Sequence, residues 1–142
     1  LQDAMRVAKN LMVSPKLVPG GGATEMAVAR GLEDYASNIP GVTRMSYLAV
    51  AKALEVIPRT LLENCGADVV RQITALRAKH ATKGENQSLG VDGVTGKLTR
   101  MDKIGVWDSY EVKVQTIKTA IESSCMLLRI DDIVSGLSRT AQ

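Results

Sequence analysis

The sequence contains no phenylalanine and few aromatic residues of any kind. Of its 142 residues only 3% are aromatic, whereas 45% are hydrophobic and 23% are charged. A core without large rings must be built from Leu, Ile, Val, Met and Ala side chains, which suits closely packed helices. The scarcity of aromatics also argues against nucleic-acid binding, because single-stranded bases are usually stacked on aromatic rings. We therefore expect a mainly helical globular unit.

Long apolar runs and targeting signals are missing as well. No stretch approaches the ~18 uninterrupted apolar residues of a membrane-spanning helix, and no charged start with an apolar run marks a signal peptide. We therefore expect a soluble, cytoplasmic protein. The net charge of +3 is mild. A small basic RNA-binding protein is a minority alternative, which rests on the clustering of Arg71, Arg77, Lys79 and Lys83 near one helix.

Cysteine and histidine are too few for a disulfide framework or a metal site. Cys65 and Cys125 lie far apart, and neither belongs to a CxxC pair. Both are interpreted as small buried hydrophobes. The single histidine, His80, ends a predicted helix beside Lys79, where a cation is favourable, so a capping role is preferred to a ligand role. No metal ligand is predicted.

Three consecutive glycines, Gly20, Gly21 and Gly22, open directly into an apolar-periodic helix. Because glycine lacks Cβ, the backbone can turn sharply there and approach a ligand, and the first N–H groups of the helix favour an anion or a hydroxyl. Neither the GxxxxGK[ST] phosphate loop nor the GxGxxG dinucleotide fingerprint is present. Taken alone, such a triplet is more often a helix start without a ligand.

Hydrophobic periodicity predicts four helices in the first half of the chain. They are expected over 1–13, from the glycines to about 37, over 45–57, and from an N-cap at Asp68 to His80. Pro58 must either kink the third helix or begin a new one, and Gly66 should end that segment. The predicted apolar face of the fourth helix is Val69, Ile73, Leu76 and His80.

The second half of the chain is expected to hold a hairpin, a long helix and a final strand. Regular glycines predict the hairpin over 89–101, after a surface loop over 81–88. Asp108 is interpreted as the N-cap of the long helix. The β-branched run over 130–134 predicts a strand with little to pair with. The apolar stripe of the long helix is expected to belong to the core and consists of Val114, Ile117, Ile121, Cys125 and Leu128.

Several segments together resemble the group II chaperonins, in particular their eukaryotic cytosolic members. These segments are LQDAMRVAKNLMVSPKLVPGGGATEMA, ALEVIPRTLLENCGA, LRAKH, GVDGVTG, GVWDSYEVK and RIDDIVSG. The resemblance implies a C-terminal piece of a longer subunit, with the end of an intermediate-domain helix over 1–17 and the second half of the equatorial ATPase domain over 18–142. The implied fold is mainly α, with a small β-hairpin and a C-terminal strand.

The resemblance also implies a function. It implies an ATP-dependent chaperonin subunit that helps fold cytosolic proteins such as actin and tubulin. The cofactors would be ATP or ADP with Mg²⁺, and the phosphate and magnesium ligands would lie mostly in an N-terminal half outside this sequence, so this chain alone should not hydrolyse ATP. The partners would be the other subunits of a hetero-oligomeric double ring and unfolded clients held by an apical domain, with no nucleic acid and no membrane.

Individual residues receive roles from the same resemblance. Asp3 matches an aspartate that orients the attacking water, a role that suits a carboxylate. Gly20, Gly21 and Gly22 match a triplet that lies against the nucleoside rather than the phosphates. Asp108 matches the acid that accepts hydrogen bonds from the ribose hydroxyls.

The hairpin turn and the last helix supply the remaining implied contacts. Asp92, Gly93 and Val94 match a segment that flanks the adenine, and Lys113 matches a lysine near the base. Ser109 stands where the family commonly has proline, an exchange that the start of a helix tolerates. The alternative function is a stand-alone helical module that binds a partner protein through exposed apolar faces.

Overall fold

The computed structural model describes residues 1–82 and 85–133 and is mainly helical, as predicted. A short 3₁₀ turn lies at Glu85–Ser88. The helices are α1 (Gln2–Val13), α2 (Ala23–Ala36), α3 (Thr43–Leu54), α4 (Val56–Asn64), α5 (Val69–Ala81), α6 (Met101–Ile104) and α7 (Tyr110–Leu128). The strands are β1 (Leu17–Pro19), β2 (Leu89–Val91), β3 (Leu98–Arg100) and β4 (Trp107–Ser109). None of the helices in these residues is long and apolar enough to cross a membrane.

The core lies where α2, α4, α5 and β2 meet. Its buried side chains are aliphatic or methionine, in agreement with the absence of phenylalanine. They are Met26, Leu62, Ile73, Leu76, Leu89 and Val91. The predicted inner face of α5 is confirmed by the burial of its residues Ile73, Leu76 and His80.

The turns between α3, α4 and α5 follow the sequence signals. The helical path is interrupted at Glu55, and Pro58 lies in the first turn of α4, where a missing N–H leaves no intrahelical carbonyl unpaired. Gly66 ends α4 with φ of 66°, a left-handed conformation that favours glycine. Asp68 caps α5 by accepting a hydrogen bond from the backbone N–H of Arg71 at 3.2 Å.

His80 is buried and does not cap the end of α5 as a surface cation. Its Nε2–H donates to the backbone carbonyl of Leu89 at 2.8 Å. The capping prediction is therefore wrong. The ring ties α5 to β2 by pairing a carbonyl that would otherwise be buried without a partner.

Residues 1–82 and 85–133 also contain two antiparallel sheets of two strands each. The predicted hairpin is confirmed as β2 and β3, with Leu89 opposite Arg100 and Val91 opposite Leu98. The pairing of β1 with β4 was not predicted. It places Val18 opposite Asp108 and so brings the segment before the glycines beside the segment before α7.

The apolar stripe of α7 is not part of the core. Val114 and Ile117 are half-buried, but Ile121 and Cys125 are exposed, and Leu128 is 86% exposed. No residue of α7 is buried among the described residues. The core prediction for this stripe is wrong, because periodicity identifies an apolar face without showing which element covers it.

The remaining corrections concern the cysteines and the C-terminal segment. Cys65 is half-buried and Cys125 is exposed, so neither is the buried hydrophobe that was expected. Residues 130–133 form no strand, and Val134 lies outside the described residues. The prediction of a strand fails over 130–133, where the described part of the chain offers the segment no partner strand.

Candidate functional site

The glycine triplet is packed against three other parts of the chain. The N–H of Gly20 donates to the carbonyl of Val106 at 3.1 Å, and the carbonyl of Gly21 accepts from the N–H of Val91 at 2.8 Å. Gly22 begins α2 with φ of 77°, and a Cβ there would lie 2.7 Å from Cβ of Pro58. Each glycine therefore permits a close approach of the chain to itself, which is a requirement independent of any ligand.

The hairpin crosses the glycine turn at Gly90. A Cβ on Gly90 would lie 2.8 Å from the carbonyl oxygen of Gly21 and 3.0 Å from that of Gly20. A hydrogen bond also spans the turn, because the Thr24 hydroxyl donates to the Pro19 carbonyl at 2.6 Å. This packing holds the turn, the start of α2 and β2 in one arrangement.

The segment Asp92–Val94 forms the tip of the hairpin, directly after β2. The Asp92 carboxylate accepts hydrogen bonds from the Thr95 hydroxyl at 2.6 Å and from the Val94 N–H at 3.0 Å. These bonds lower the pKa of Asp92, with the Thr95 bond as the largest cause. Gly93 and Val94 are exposed. Asp92 thus shapes the turn, and the side chain of Val94 is open to a ligand.

Asp108 lies in β4 and not at the N-cap of α7. Ser109 occupies the cap position, without a side-chain capping bond, so the capping prediction for Asp108 is wrong. Asp108 is paired with β1 and lies one residue before the N-cap position. Its side chain is 41% exposed, and its Oδ2 lies 3.0 Å from Nζ of Lys113. A Cβ on Gly20 would lie 3.2 Å from the same oxygen, so Asp108 is adjacent to the glycine turn.

Lys113 connects Asp108 to a buried acid, Glu25. Its Nζ donates to Oε1 of Glu25 at 2.5 Å. The Glu25 side chain is only 3% exposed, and its second oxygen, Oε2, is buried without a hydrogen-bond partner among the described residues. Burial lowers the pKa of Lys113, but hydrogen bonds and charges of Glu25 and Asp108 outweigh that effect and raise it. Lys113 therefore stays cationic between the two carboxylates.

A cavity of about 250 Å³ lies beside these three residues. Its polar lining consists of Glu25, Asp108, Ser109, Lys113 and Thr116. The hydroxyl oxygen of Ser109 is also buried without a partner among the described residues. Its apolar lining comes from α1, β1, α4, β4 and α7 and consists of Val7, Leu11, Leu17, Ile57, Trp107, Val112 and Ile117.

Asp3 is not in contact with this group of residues. It is exposed in the first turn of α1. Val7 and Leu11 follow at helical spacing on the same side of α1, and both line the cavity beside Asp108. Asp3 therefore extends the face of α1 that is turned to the cavity, one turn further out.

The structure joins most of the residues predicted for the site, although they are far apart in sequence. Gly20 lies beside Asp108, Asp108 is paired with Lys113, and Gly21 is bonded to the strand that leads to Asp92. Sequence reasoning missed Glu25. A glutamate in the first turn of α2, on the same face as the buried Met26 and Ala29, was the available signal.

Comparison with known proteins identifies the family. The family model described as TCP-1/cpn60 chaperonin family matches residues 1–137. The chain belongs to the TCP-1/cpn60 chaperonin family. The predicted resemblance to chaperonins is thereby confirmed.

Several eukaryotic relatives of this chaperonin chain bear the name T-complex protein 1 subunit gamma. The protein of Schizosaccharomyces pombe is 56% identical over 100% of this chain and 26% of its own length. That of Caenorhabditis elegans is 53% identical over 98% of this chain and 26% of its own length. That of Homo sapiens is 55% identical over 96% of this chain and 25% of its own length. The chain thus spans about a quarter of the length of these relatives.

The fold of this chaperonin chain is similar to a solved structure of the same family. That structure is the open-state monomer of a group II chaperonin from Methanococcoides burtonii. It matches with a TM-score of 0.76 and 36% sequence identity, over 81% of this chain and 28% of that one. The predicted fold class, a helical part of a chaperonin with small β elements, is confirmed apart from the terminal strand.

Proposed function

We propose that this chain is the C-terminal part of an ATP-dependent chaperonin subunit and forms the nucleoside side of its ATP site. In this proposal residues 1–17 end an intermediate-domain helix, and residues 18–142 form half of the equatorial domain. One observation carries the proposal. The segments around positions 20–22 and 108–113, assigned to the nucleoside from sequence likeness, lie side by side, and the strand that leads to 92–94 is bonded to Gly21, although up to about 90 residues separate these segments.

The chemistry of these residues fits a nucleoside. Asp108 presents a partly exposed carboxylate, which can accept hydrogen bonds from ribose hydroxyls. The backbone of the glycine turn would lie beside it, with Gly21 half-buried and Gly20 and Gly22 buried. Asp92, Gly93 and the exposed Val94 would flank the adenine. Lys113, which is paired with Glu25 and Asp108, would lie near the base.

The phosphates and Mg²⁺ would be held elsewhere in the subunit. Among residues 1–82 and 85–133 no group of three or more His, Cys, Asp or Glu side chains is arranged to hold a metal ion. ATP, bound with Mg²⁺, would supply the terminal phosphoanhydride bond whose hydrolysis drives the folding cycle. Asp3 would contribute a carboxylate that orients the attacking water, from the face of α1 that is turned to the cavity.

The proposed setting is the cytoplasm, where the subunit would join other subunits in a hetero-oligomeric double ring. Its clients would be unfolded cytosolic proteins, such as actin and tubulin, bound through an apical domain outside this chain. Eukaryotic relatives named as gamma subunits support this setting.

Nucleotide binding and turnover in the full-length subunit test the roles of the two aspartates. Asp108→Ala should weaken ATP binding about tenfold to a hundredfold, because it removes charge-assisted hydrogen bonds to the ribose. Asp3→Ala should lower the rate of hydrolysis much more than the affinity, because its contact forms in the transition state. If Asp3→Ala lowered the affinity for ATP as much as the rate of hydrolysis, this assignment would be contradicted.

The 142-residue chain alone should show no Mg²⁺-dependent release of phosphate from ATP. Phosphate release by the purified chain, free of other ATPases, would overturn the proposed division of the site. The alternative function, a helical module that binds a partner protein, is favoured by the exposed apolar residues of α7 such as Met126 and Leu127. A full-length subunit without any affinity for ATP would favour that alternative.

A further inference from the structure

We infer that Glu25 is a positioning residue for nucleoside binding, acting on Asp108 through Lys113. This inference rests on the proposed function, because Asp108 is taken as the ribose acceptor. Glu25 itself would not touch the nucleotide. Its role follows from two ion pairs, which join the buried carboxylate of Glu25 to Lys113 and Lys113 to the partly exposed carboxylate of Asp108.

The buried end of this chain of contacts is fixed. Glu25 follows directly on the glycine turn, in the first turn of α2, where the partial positive charge of the helix start favours a carboxylate. With a side chain only 3% exposed, Glu25 has little room to change rotamer. Its Oε1 is bonded to Lys113, and a buried carboxylate of this kind is stable only with such a cation.

Lys113 transmits this fixed position to Asp108. Its ammonium lies 2.5 Å from Oε1 of Glu25 and 3.0 Å from Oδ2 of Asp108. Among the described residues, the ion pair of the Asp108 side chain is made by Oδ2. Oδ1 is therefore left to accept hydrogen bonds from a ligand. Lys113 therefore orients the carboxylate through Oδ2, while Glu25 fixes the position of the lysine ammonium.

Neutralising Glu25 should release the Lys113 ammonium from its position between the two carboxylates. In a Glu25→Gln subunit, Lys113 would retain a single anionic partner, and its ammonium would be free to turn from Oδ2 of Asp108 towards Oδ1. The lysine would then compete with the ribose hydroxyls for the Asp108 carboxylate. We expect ribose recognition to weaken, whereas contacts to the base and phosphates persist.

The test compares ATP with 2′,3′-dideoxy-ATP, which lacks both ribose hydroxyls. Full-length subunits in the assembled chaperonin are labelled with 2-azido-ATP, and label on this subunit is quantified by mass spectrometry while either nucleotide competes. The wild-type subunit should prefer ATP, and Asp108→Ala should abolish that preference. Glu25→Gln should reduce it about threefold to tenfold, with the affinity for dideoxy-ATP unchanged.

A matched control and a double variant isolate the link through Lys113. Glu33 lies on the same helix and pairs with Arg30 at the surface, so Glu33→Gln should leave the preference unchanged. Lys113→Gln should lower the preference, and adding Glu25→Gln to it should have no further effect. If Glu25→Gln prevents folding, Lys113→Gln alone decides, because an unchanged preference in that variant overturns the inference.

The outcomes separate this inference from the proposed function. A wild-type subunit without ribose preference, or one whose preference survives Asp108→Ala, overturns both. If Asp108→Ala abolishes the preference but Glu25→Gln leaves it intact, only the positioning role is overturned. Equal loss of affinity for both nucleotides in Glu25→Gln would identify a general packing role and would also overturn it.

Discussion

Gly22 faces Pro58 so closely that a Cβ on the glycine would lie 2.7 Å from Cβ and 3.1 Å from Cα of the proline. This contact joins the start of α2 to the first turn of α4. Because α4 also carries the core residue Leu62, this contact anchors the glycine turn to the core.

Substitution at Gly22 should be much more harmful than at a glycine with the same backbone conformation and open surroundings. Gly41 has φ of 79° but no atom within 4 Å of its Cβ position. Gly41→Ala should cost about 1 kcal/mol of unfolding free energy from backbone strain alone. Gly22→Ala adds the overlap with Pro58 and should cost about 3 kcal/mol or more. Urea unfolding of both variants measures the difference, and equal losses would show that the contact is unimportant.

Replacement of His80 should destabilise the chain by leaving the Leu89 carbonyl buried without a donor. We expect His80→Leu to lower the unfolding free energy by about 1–3 kcal/mol, independently of salt concentration. The exposed neighbour serves as control, and Lys79→Ala should change stability by about 0.5 kcal/mol or less. Thermal unfolding at low and high salt distinguishes the two roles. A salt-sensitive loss of similar size in both variants would restore the capping interpretation.

The Asp92 carboxyl should titrate below its ordinary pKa of 3.8, because the charged form accepts two hydrogen bonds. A carboxyl whose pKa is lower in the folded state stabilises the fold above its unfolded pKa, and this contribution is lost as the pH falls through the folded value. Thr95→Val should raise the pKa of Asp92, whereas Thr99→Val should not. Carboxyl groups protonate between about pH 2 and about pH 6, and carboxyl ¹³C chemical shifts measured over this range follow the titration. An unchanged pKa in Thr95→Val would contradict the turn geometry.

The apolar side chains exposed near the end of α7 should cause concentration-dependent self-association of the isolated chain. Met126, Leu127 and Leu128 lie together there, each about two-thirds exposed or more. Changing Leu127 and Leu128 to Ser should shift the chain towards monomer. Val94→Ser removes an apolar side chain that is 91% exposed on the hairpin and should have little effect. Sedimentation velocity over a wide concentration range decides, and a strictly monomeric wild-type chain would contradict the prediction.

Local signals predicted the helices and the hairpin well. The cap at Asp68, the stop at Gly66 and the interruption near Pro58 each depend on backbone chemistry within a few residues. The hairpin over 89–101 was likewise visible from its regular glycines. The group of residues around the glycine turn was predicted from likeness to chaperonins and not from periodicity.

Local signals could not predict which distant strands pair or which helix faces are buried by other elements. Strands β1 and β4 have three residues each, too few to show alternation, and their pairing depends on contact across most of the chain. The stripe of α7 has the period of a buried face, but whether it is buried depends on what packs against it. The burial of Glu25 was not predicted, because a charged residue in a first helical turn usually faces solvent.

The pairing of Leu17 with Ser109 spans about 90 residues of chain, and this span has a consequence for the order of folding. The helices and the hairpin can form from neighbouring residues, whereas β1 and β4 must close a long loop before they gain any contact. Asp108 reaches the glycine turn only when that loop has closed. During synthesis the local elements would form before Asp108 reaches the glycine turn. Any nucleotide affinity of the proposed site would therefore appear last and would report that this part of the chain has finished folding.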